Sequence, residues 1–355
     1  MERIASRSCF FGGLGNAVPM GAEYFRLRYA YAVMFGLLAL ECLSRIVMTA
    51  FLGYGDIRGF FWWTGIVPVV VLWAIHVPLW AVISRKPEPT KWIFQTYRDN
   101  LMWFVSVGVL LAFTWVKIDN VATIKNAIPL MVPYYADPFF AELDRAIFFT
   151  DPWKITHAVI PDWGTPLIER VYAIWHLLQV AFGCWMVFTR NLRLQVTALI
   201  AFTASWLLLG GVVATLFSSV GPCFYEHFYG DPYFRPLLAQ LENAPITQRG
   251  FKFLIDTYQT GAYAGGISAF PSLHVAIAVW EVLVLRMAFR NRFVTAAGVV
   301  YATVIFIGSV HLGWHYAIDG IFSAAATLLL WKASARLVEK SVLFNERRPS
   351  PQTLG

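Results

Sequence analysis

Charge is scarce in this chain. Only 14% of its 355 residues are Asp, Glu, Lys or Arg, whereas ordinary soluble domains carry about 25%. Cysteine is scarce as well, with four residues. Cys42 and Cys184 fall inside apolar runs, and Cys9 and Cys223 have no evident partner in sequence. That spacing excludes a disulfide scaffold and says little about redox compartment. Internal repeats and low-complexity tracts are missing, and no basic, aromatic-interleaved stretch marks a nucleic-acid surface. An apolar content of 58% and a mean hydropathy of +0.58 exclude intrinsic disorder. The chain also lacks the hydrophobic alternation of a soluble fold, because its apolar residues come in long unbroken runs.

Those runs set the fold class: an all-α, polytopic transmembrane helical bundle. A bilayer core takes about 20 apolar residues per helix. Eight segments meet that length, near 28–50, 60–84, 100–118, 165–188, 194–218, 272–289, 293–311 and 315–335. The first 27 residues are not expected to act as a signal peptide. Gly12, Gly13, Gly15 and Pro19 interrupt any apolar core behind Arg3 and Arg7.

The net charge of +7 belongs to short loops, where it acts as a topology signal. With these spans, 18 of the 28 Lys and Arg lie on one side, among them Arg26, Arg85, Arg98, Arg190, Arg290 and Arg336. Eight lie on the other: Arg58, Lys117, Lys125, Arg145, Lys154, Arg235, Arg249 and Lys252. Arg45 and Arg170 fall within spans, and Glu41 is expected to pair with Arg45 at i, i+4. The positive-inside rule places both termini in the cytoplasm. Two longer segments then face outward. Residues 119–163 are expected as amphipathic interfacial pieces, and residues 219–271 are mixed in character. The C-terminal tail, with Arg347, Arg348, Pro349 and Pro351, is expected to be mobile.

Polar groups at the edge of a span are costly and are functional candidates by default. They gather in the last third. One string reads Gly265-Gly266-Ile267-Ser268-Ala269-Phe270-Pro271-Ser272-Leu273-His274, and another Gly308-Ser309-Val310-His311-Leu312-Gly313-Trp314-His315-Tyr316-Ala317-Ile318-Asp319. Each leads into a span at the outer face. Pro271 suits a first helical turn, placing His274 near a helix N-terminus, and His315 is expected at the start of the last span. Helix N-termini offer free N–H groups to phosphate. Asp319 lies four residues after His315, on one helical face, and can take the Nδ1 proton and leave Nε2 as a nucleophile. His274 can protonate a leaving oxygen. A helix N-terminus disfavours an imidazolium, which helps a neutral His315 and opposes an acid at His274, until a bound phosphate restores that proton. His311 and His315, with His274 and Asp319, also have the makeup of a metal site, but no second carboxylate motif supports one. No metal and no cofactor is expected.

Pro271-Ser272-Leu273-His274 and His315-x-x-x-Asp319 resemble the second and third signatures of the PAP2 superfamily of lipid phosphatases and phosphotransferases. The strings Phe270–Ala276 and Leu312–Asp319 are most similar to its inositolphosphotransferase branch, which includes the inositol phosphorylceramide synthases. The resemblance spans 222–335, and weaker likeness extends over 119–190 through Leu143-Asp144 and Asp151-Pro152-Trp153. It implies a six-helix catalytic core over 96–340, extra spans within 1–95 and a tail at 341–355. It implies His315 as the phosphorylated nucleophile, Asp319 as its orienting partner, His274 as acid and then base, and Ser272 as a phosphate contact, without metal.

The superfamily's first signature, a Lys followed by Arg-Pro, is absent. Gly221-Pro222-Cys223-Phe224-Tyr225 stands in its region, and Ser309 occupies the place of an Arg six residues before the nucleophile. Arg235, Arg249, Lys252 and His311 are candidate replacements, and Ser309 and Tyr316 candidate substrate contacts. The expected function is an integral-membrane phosphotransferase acting on a lipid phosphate or phospholipid headgroup, with an alcohol as acceptor. A lipid-phosphate phosphatase using water, and a transporter or binding protein with a degenerate site, are the alternatives. The expected setting is a bacterial inner membrane with the site facing the periplasm.

Overall fold

The structure is a computed structural model that describes residues 20–52, 71, 73, 75–260 and 266–346. The N-terminal segment with Arg3, Arg7 and Cys9, most of the expected second span, Arg58, Gly265 and the basic C-terminal tail lie outside the described residues. Among the described residues every regular element is helical.

Apolar sequence with no internal polar partners must satisfy its backbone within itself, so each long run becomes a helix. The principal elements are α1 (Met20–Leu52), α2 (Pro89–Asp99), α3 (Leu101–Met131), α4 (Asp137–Phe148), α5 (Pro152–Val159), α6 (Gly164–Phe188) and α7 (Leu192–Leu216). They continue with α8 (Pro245–Thr260), α9 (Leu273–Phe289), α10 (Arg292–His311) and α11 (Ala317–Glu346). Among the described residues, six helices are long and apolar enough to cross a membrane: most of α1, then α3, α6, α7, α10 and most of α11. Helix α9, with 17 residues, rises about 26 Å at 1.5 Å per residue, a little less than the ~30 Å hydrocarbon core. The chain enters it through the non-helical loop 266–272. Of the expected 60–84 span, residues 75–83 are helical.

Helix α7 is the most enclosed of the spanning helices, and α9 packs against α10, α11, α7 and α6 around it. Its stretch Ser205–Val213 widens into a π-helix. Gly210 lies there against Leu273 at the start of α9; a Cβ on Gly210 would come within 2.9 Å of Leu273 Cδ1. The glycine therefore lets the central helix approach the turn that carries His274. Helix α1 lies against α3, α7 and α11, with Leu27, Ala30, Met34 and Glu41 fully buried, so the N-terminal span is built into the core.

Two sequence expectations are corrected. Helix α3 does not end near 118 but runs unbroken to Met131, so Lys117 and Lys125 are intrahelical residues and not loop cations. The polar run of Lys117, Asn120, Lys125 and Asn126 imitates a span end, yet apolar Ile124 and Ile128 keep the helical period and both are buried. The separate interfacial pieces begin only at α4. Glu41, expected to pair with Arg45, instead bonds across to Lys117, with Oε1–Nζ at 2.6 Å. The α1–α3 contact thus places two opposite charges face to face.

Candidate active site

His274 is the second residue of α9. Ser272, not Pro271, caps the helix, with Ser272 Oγ accepting from the Val275 amide at 3.4 Å. Pro271 precedes the cap on a cis peptide bond and so stands outside the expected first turn. The His274 ring is held by aromatic neighbours on α6: Trp175 with centroids 4.2 Å apart, Tyr172 stacked at 4.6 Å, and His176 edge-on at 5.9 Å. Trp175 Nε1 also donates to the His274 carbonyl at 3.0 Å.

His315 lies two residues before α11, in the turn that follows α10. Its amide donates to the Ser309 carbonyl at 3.0 Å. Its Nδ1 donates to the Ala269 carbonyl at 2.8 Å, with Asp319 Oδ2 at 3.4 Å as the more distant acceptor. Two oxygens at Nδ1 fix the tautomer and leave the Nε2 lone pair free. Asp319 also accepts from the Tyr316 amide at 3.0 Å, and its Oδ1 has no hydrogen-bond partner. Burial pushes the His315 imidazole down to about 3; the Ala269 hydrogen bond opposes this and the charge of Lys125 adds to it. The ring is neutral at physiological pH. The His274 and His315 rings meet with centroids 5.7 Å apart at an interplanar angle of 63°. Imidazoles 41 positions apart in sequence therefore converge at one end of the bundle.

A scaffold of carboxylates from α4 holds this geometry. Asp137, fully buried, accepts from the amides of Val220 and Gly221 at 2.8 and 2.7 Å and from the hydroxyls of Tyr229 and Tyr316 at 2.9 and 3.1 Å. Asp144 accepts from the amides of Ala317 and Ile318 at 2.7 and 2.9 Å. It thereby caps the first turn of α11, the turn that carries Asp319. Burial pushes Asp144 up to about 6, against the pull of those two amides. Gly221 sits at φ +87°, and a Cβ there would come within 2.6 Å of the Trp314 carbonyl oxygen. Only glycine permits that close pass beside the turn that carries His315.

The other sequence candidates have internal partners. Tyr316 donates its hydroxyl to Asp137, and Ser309 donates to the Phe306 carbonyl at 2.7 Å. His311 stacks on His157 at 3.8 Å and hydrogen-bonds with Thr165 and Thr156 at 2.9 and 3.2 Å. The described residues contain no group of three His, Cys, Asp or Glu side chains placed to hold a metal. Arg235 is exposed and paired with Glu226, while Arg249 and Lys252 are exposed on α8. Lys125, which the sequence reading put in a loop, lies in α3 with its backbone and Cβ packed against Gly266, on the loop that leads to His274. His176, Asp137 and Asp144 were also missed. Their partners lie far off in sequence; the usable signal was the unbroken helical period past Lys117.

Residues 140–333, more than half of the chain, match the family model described as the PAP2 superfamily, and the match includes His274, His315 and Asp319. No curated protein and no solved structure matches the chain. A bundle with membrane-length helices, carrying both histidine motifs at one end and matched over that whole region, belongs to the PAP2 superfamily of phosphatase- and phosphotransferase-type membrane enzymes.

Proposed function

We propose that the protein is a lipid phosphotransferase that works through a phosphohistidine on His315. The observation that carries this reading is the His315 ring, fixed through Nδ1 and lying 5.7 Å from His274, centroid to centroid. In the first half-reaction Nε2 of His315 bonds to phosphorus and the bond from phosphorus to the leaving oxygen breaks. That oxygen takes a proton from His274, which the entering phosphate anion holds in its charged form. In the second half-reaction His274 takes the proton of an acceptor hydroxyl. The acceptor oxygen bonds to phosphorus and the N–P bond breaks, returning His315 neutral. Asp319 and the Ala269 carbonyl hold the ring and stabilise the positive charge it develops. Ser272 anchors the turn beside the phosphate.

The altered clamp region around Gly221-Pro222-Cys223 and the inositolphosphotransferase-like strings favour an alcohol over water as acceptor. Charge favours a site facing away from the cytoplasm, which in a bacterial inner membrane is the periplasmic side. Even without Lys117 and Lys125, which lie inside α3, the site's side carries the smaller share of the cations.

The test is incubation of the purified protein with phosphorus-labelled phospholipids and candidate alcohols. Headgroup exchange is expected, and His315→Ala abolishes it. Label appearing only as free phosphate overturns the transfer reading in favour of hydrolysis, and a fully active His315→Ala variant overturns both. In sealed right-side-out vesicles a membrane-impermeant acceptor is expected to be consumed; consumption only in inverted vesicles reverses the orientation.

A further inference from the structure

Lys125 stands outside the region matched to the family and belongs to neither histidine motif. It lies six residues before the end of α3, at the end of the bundle that carries the histidines. Its backbone and Cβ are packed on the loop leading to α9: a Cβ on Gly266 would come within 2.7–2.9 Å of Lys125 atoms. Three residues later that loop presents the Ala269 carbonyl to His315, and six residues later the Ser272 cap of the His274 helix. The Lys125 side chain is thus fixed to the same segment that positions both rings.

Its surroundings differ from those of Lys117, two turns earlier on the same helix. Lys117 has a carboxylate partner in Glu41 at 2.6 Å. Lys125 makes no ion pair or side-chain hydrogen bond among the described residues, and the groups its charge reaches are imidazoles. Lys125 is half-buried, and taking an ammonium even partly out of water without an anion is unfavourable. Placing it beside a neutral ring that needs a phosphate opposite it gives that charge a use. The expected clamp residues are missing from this site, since Ser309 stands in the place of an Arg, Arg235 pairs with Glu226, and Arg249 and Lys252 are exposed on α8.

We infer that Lys125 is the phosphate-holding cation of this enzyme, supplied by α3 in place of the absent first signature. The assignment rests on the His315 reading above, and it makes Lys125 a catalytic residue that touches the transferring phosphoryl group.

The test compares wild type, Lys125→Met, Lys125→Arg and His315→Ala in detergent, with fluorescent phosphatidic acid and phosphatidylglycerol as substrates and orthovanadate as phosphate mimic. Lys125→Met is expected to lower turnover about 100-fold. It should raise the orthovanadate concentration needed to stabilise the protein against thermal unfolding about tenfold. Lys125→Arg should recover part of both. The unfolding temperature without orthovanadate should be unchanged or higher in Lys125→Met, because a half-buried charge without an anion has been removed. A purely structural lysine would instead lower that temperature and leave the orthovanadate response of the folded fraction intact, which overturns the assignment. So does a Lys125→Met variant within threefold of wild type while His315→Ala is inactive, or a wild type that orthovanadate does not stabilise. Full activity in His315→Ala removes the phosphohistidine reading, and the Lys125 assignment with it.

Discussion

A single buried carboxylate decides how α1 meets α3. Glu41 is fully enclosed and bonds Lys117, whose ammonium also lies over the Phe202 ring, while Asn120 hydrogen-bonds Cys42 beside it. Removing one partner of such a pair strands the other charge in a dry core, which costs about 3–5 kcal/mol; replacing both with apolar residues is often neutral. Lys117→Met is therefore expected to lower the unfolding temperature in detergent sharply. Glu41→Leu combined with Lys117→Met should restore most of the loss. A double variant less stable than the single one would show that the pair contributes through something other than mutual neutralisation. Arg45, four residues from Glu41, was the sequence's obvious partner. Helical spacing shows which residues share a face, but not which neighbouring helix that face will meet, so Lys117 was not legible.

At the scale of elements, α4 acts as a brace beneath the turn that carries His315. Asp137 gathers the 220–221 turn, Tyr229 and Tyr316, and Asp144 caps α11. In the sequence these carboxylates fall within the outward-facing amphipathic segment 119–163. Their role became visible only with the contacts, because their partners lie 83 to 179 positions away. Asp144→Ala leaves the amides of Ala317 and Ile318 without their partner, a loss of about 1–3 kcal/mol, and should lower turnover by loosening the turn that carries Asp319. The carboxyl of Asp144 titrates near 6 in the folded protein, above its ordinary 3.8. A raised carboxyl adds stability while it is protonated, and that contribution fades as pH rises from about 4 through 6. The stability difference between wild type and Asp144→Asn should therefore change across that window and level off above it. A difference that does not vary with pH would contradict the shift.

Across the whole molecule, the bundle class was written in the apolar runs. Helices α6, α7, α9 and α10 lie within a few residues of the spans read from hydropathy. The end of α3 was misplaced because polar residues facing protein rather than lipid look like a loop. The histidine pair was legible because each member lies in a compact local motif. What the motifs could not convey is that the Ala269 carbonyl lies nearer to His315 Nδ1 than Asp319 does, or that Lys125 of α3 packs against the loop that carries that carbonyl. The fold joins these pieces through α7, whose π-helical stretch and Gly210 admit Leu273 and set the depth of α9.

The central claim is that phosphorus passes through one nitrogen of His315. The direct measurement is to mix purified protein with a phosphorus-labelled lipid donor, quench in base and map the label by mass spectrometry, in wild type and in His274→Ala. The account predicts an acid-labile, base-stable label on the peptide containing His315, discharged by an alcohol acceptor and longer-lived in His274→Ala. Turnover with no label on His315, or with the label on another residue, would contradict it.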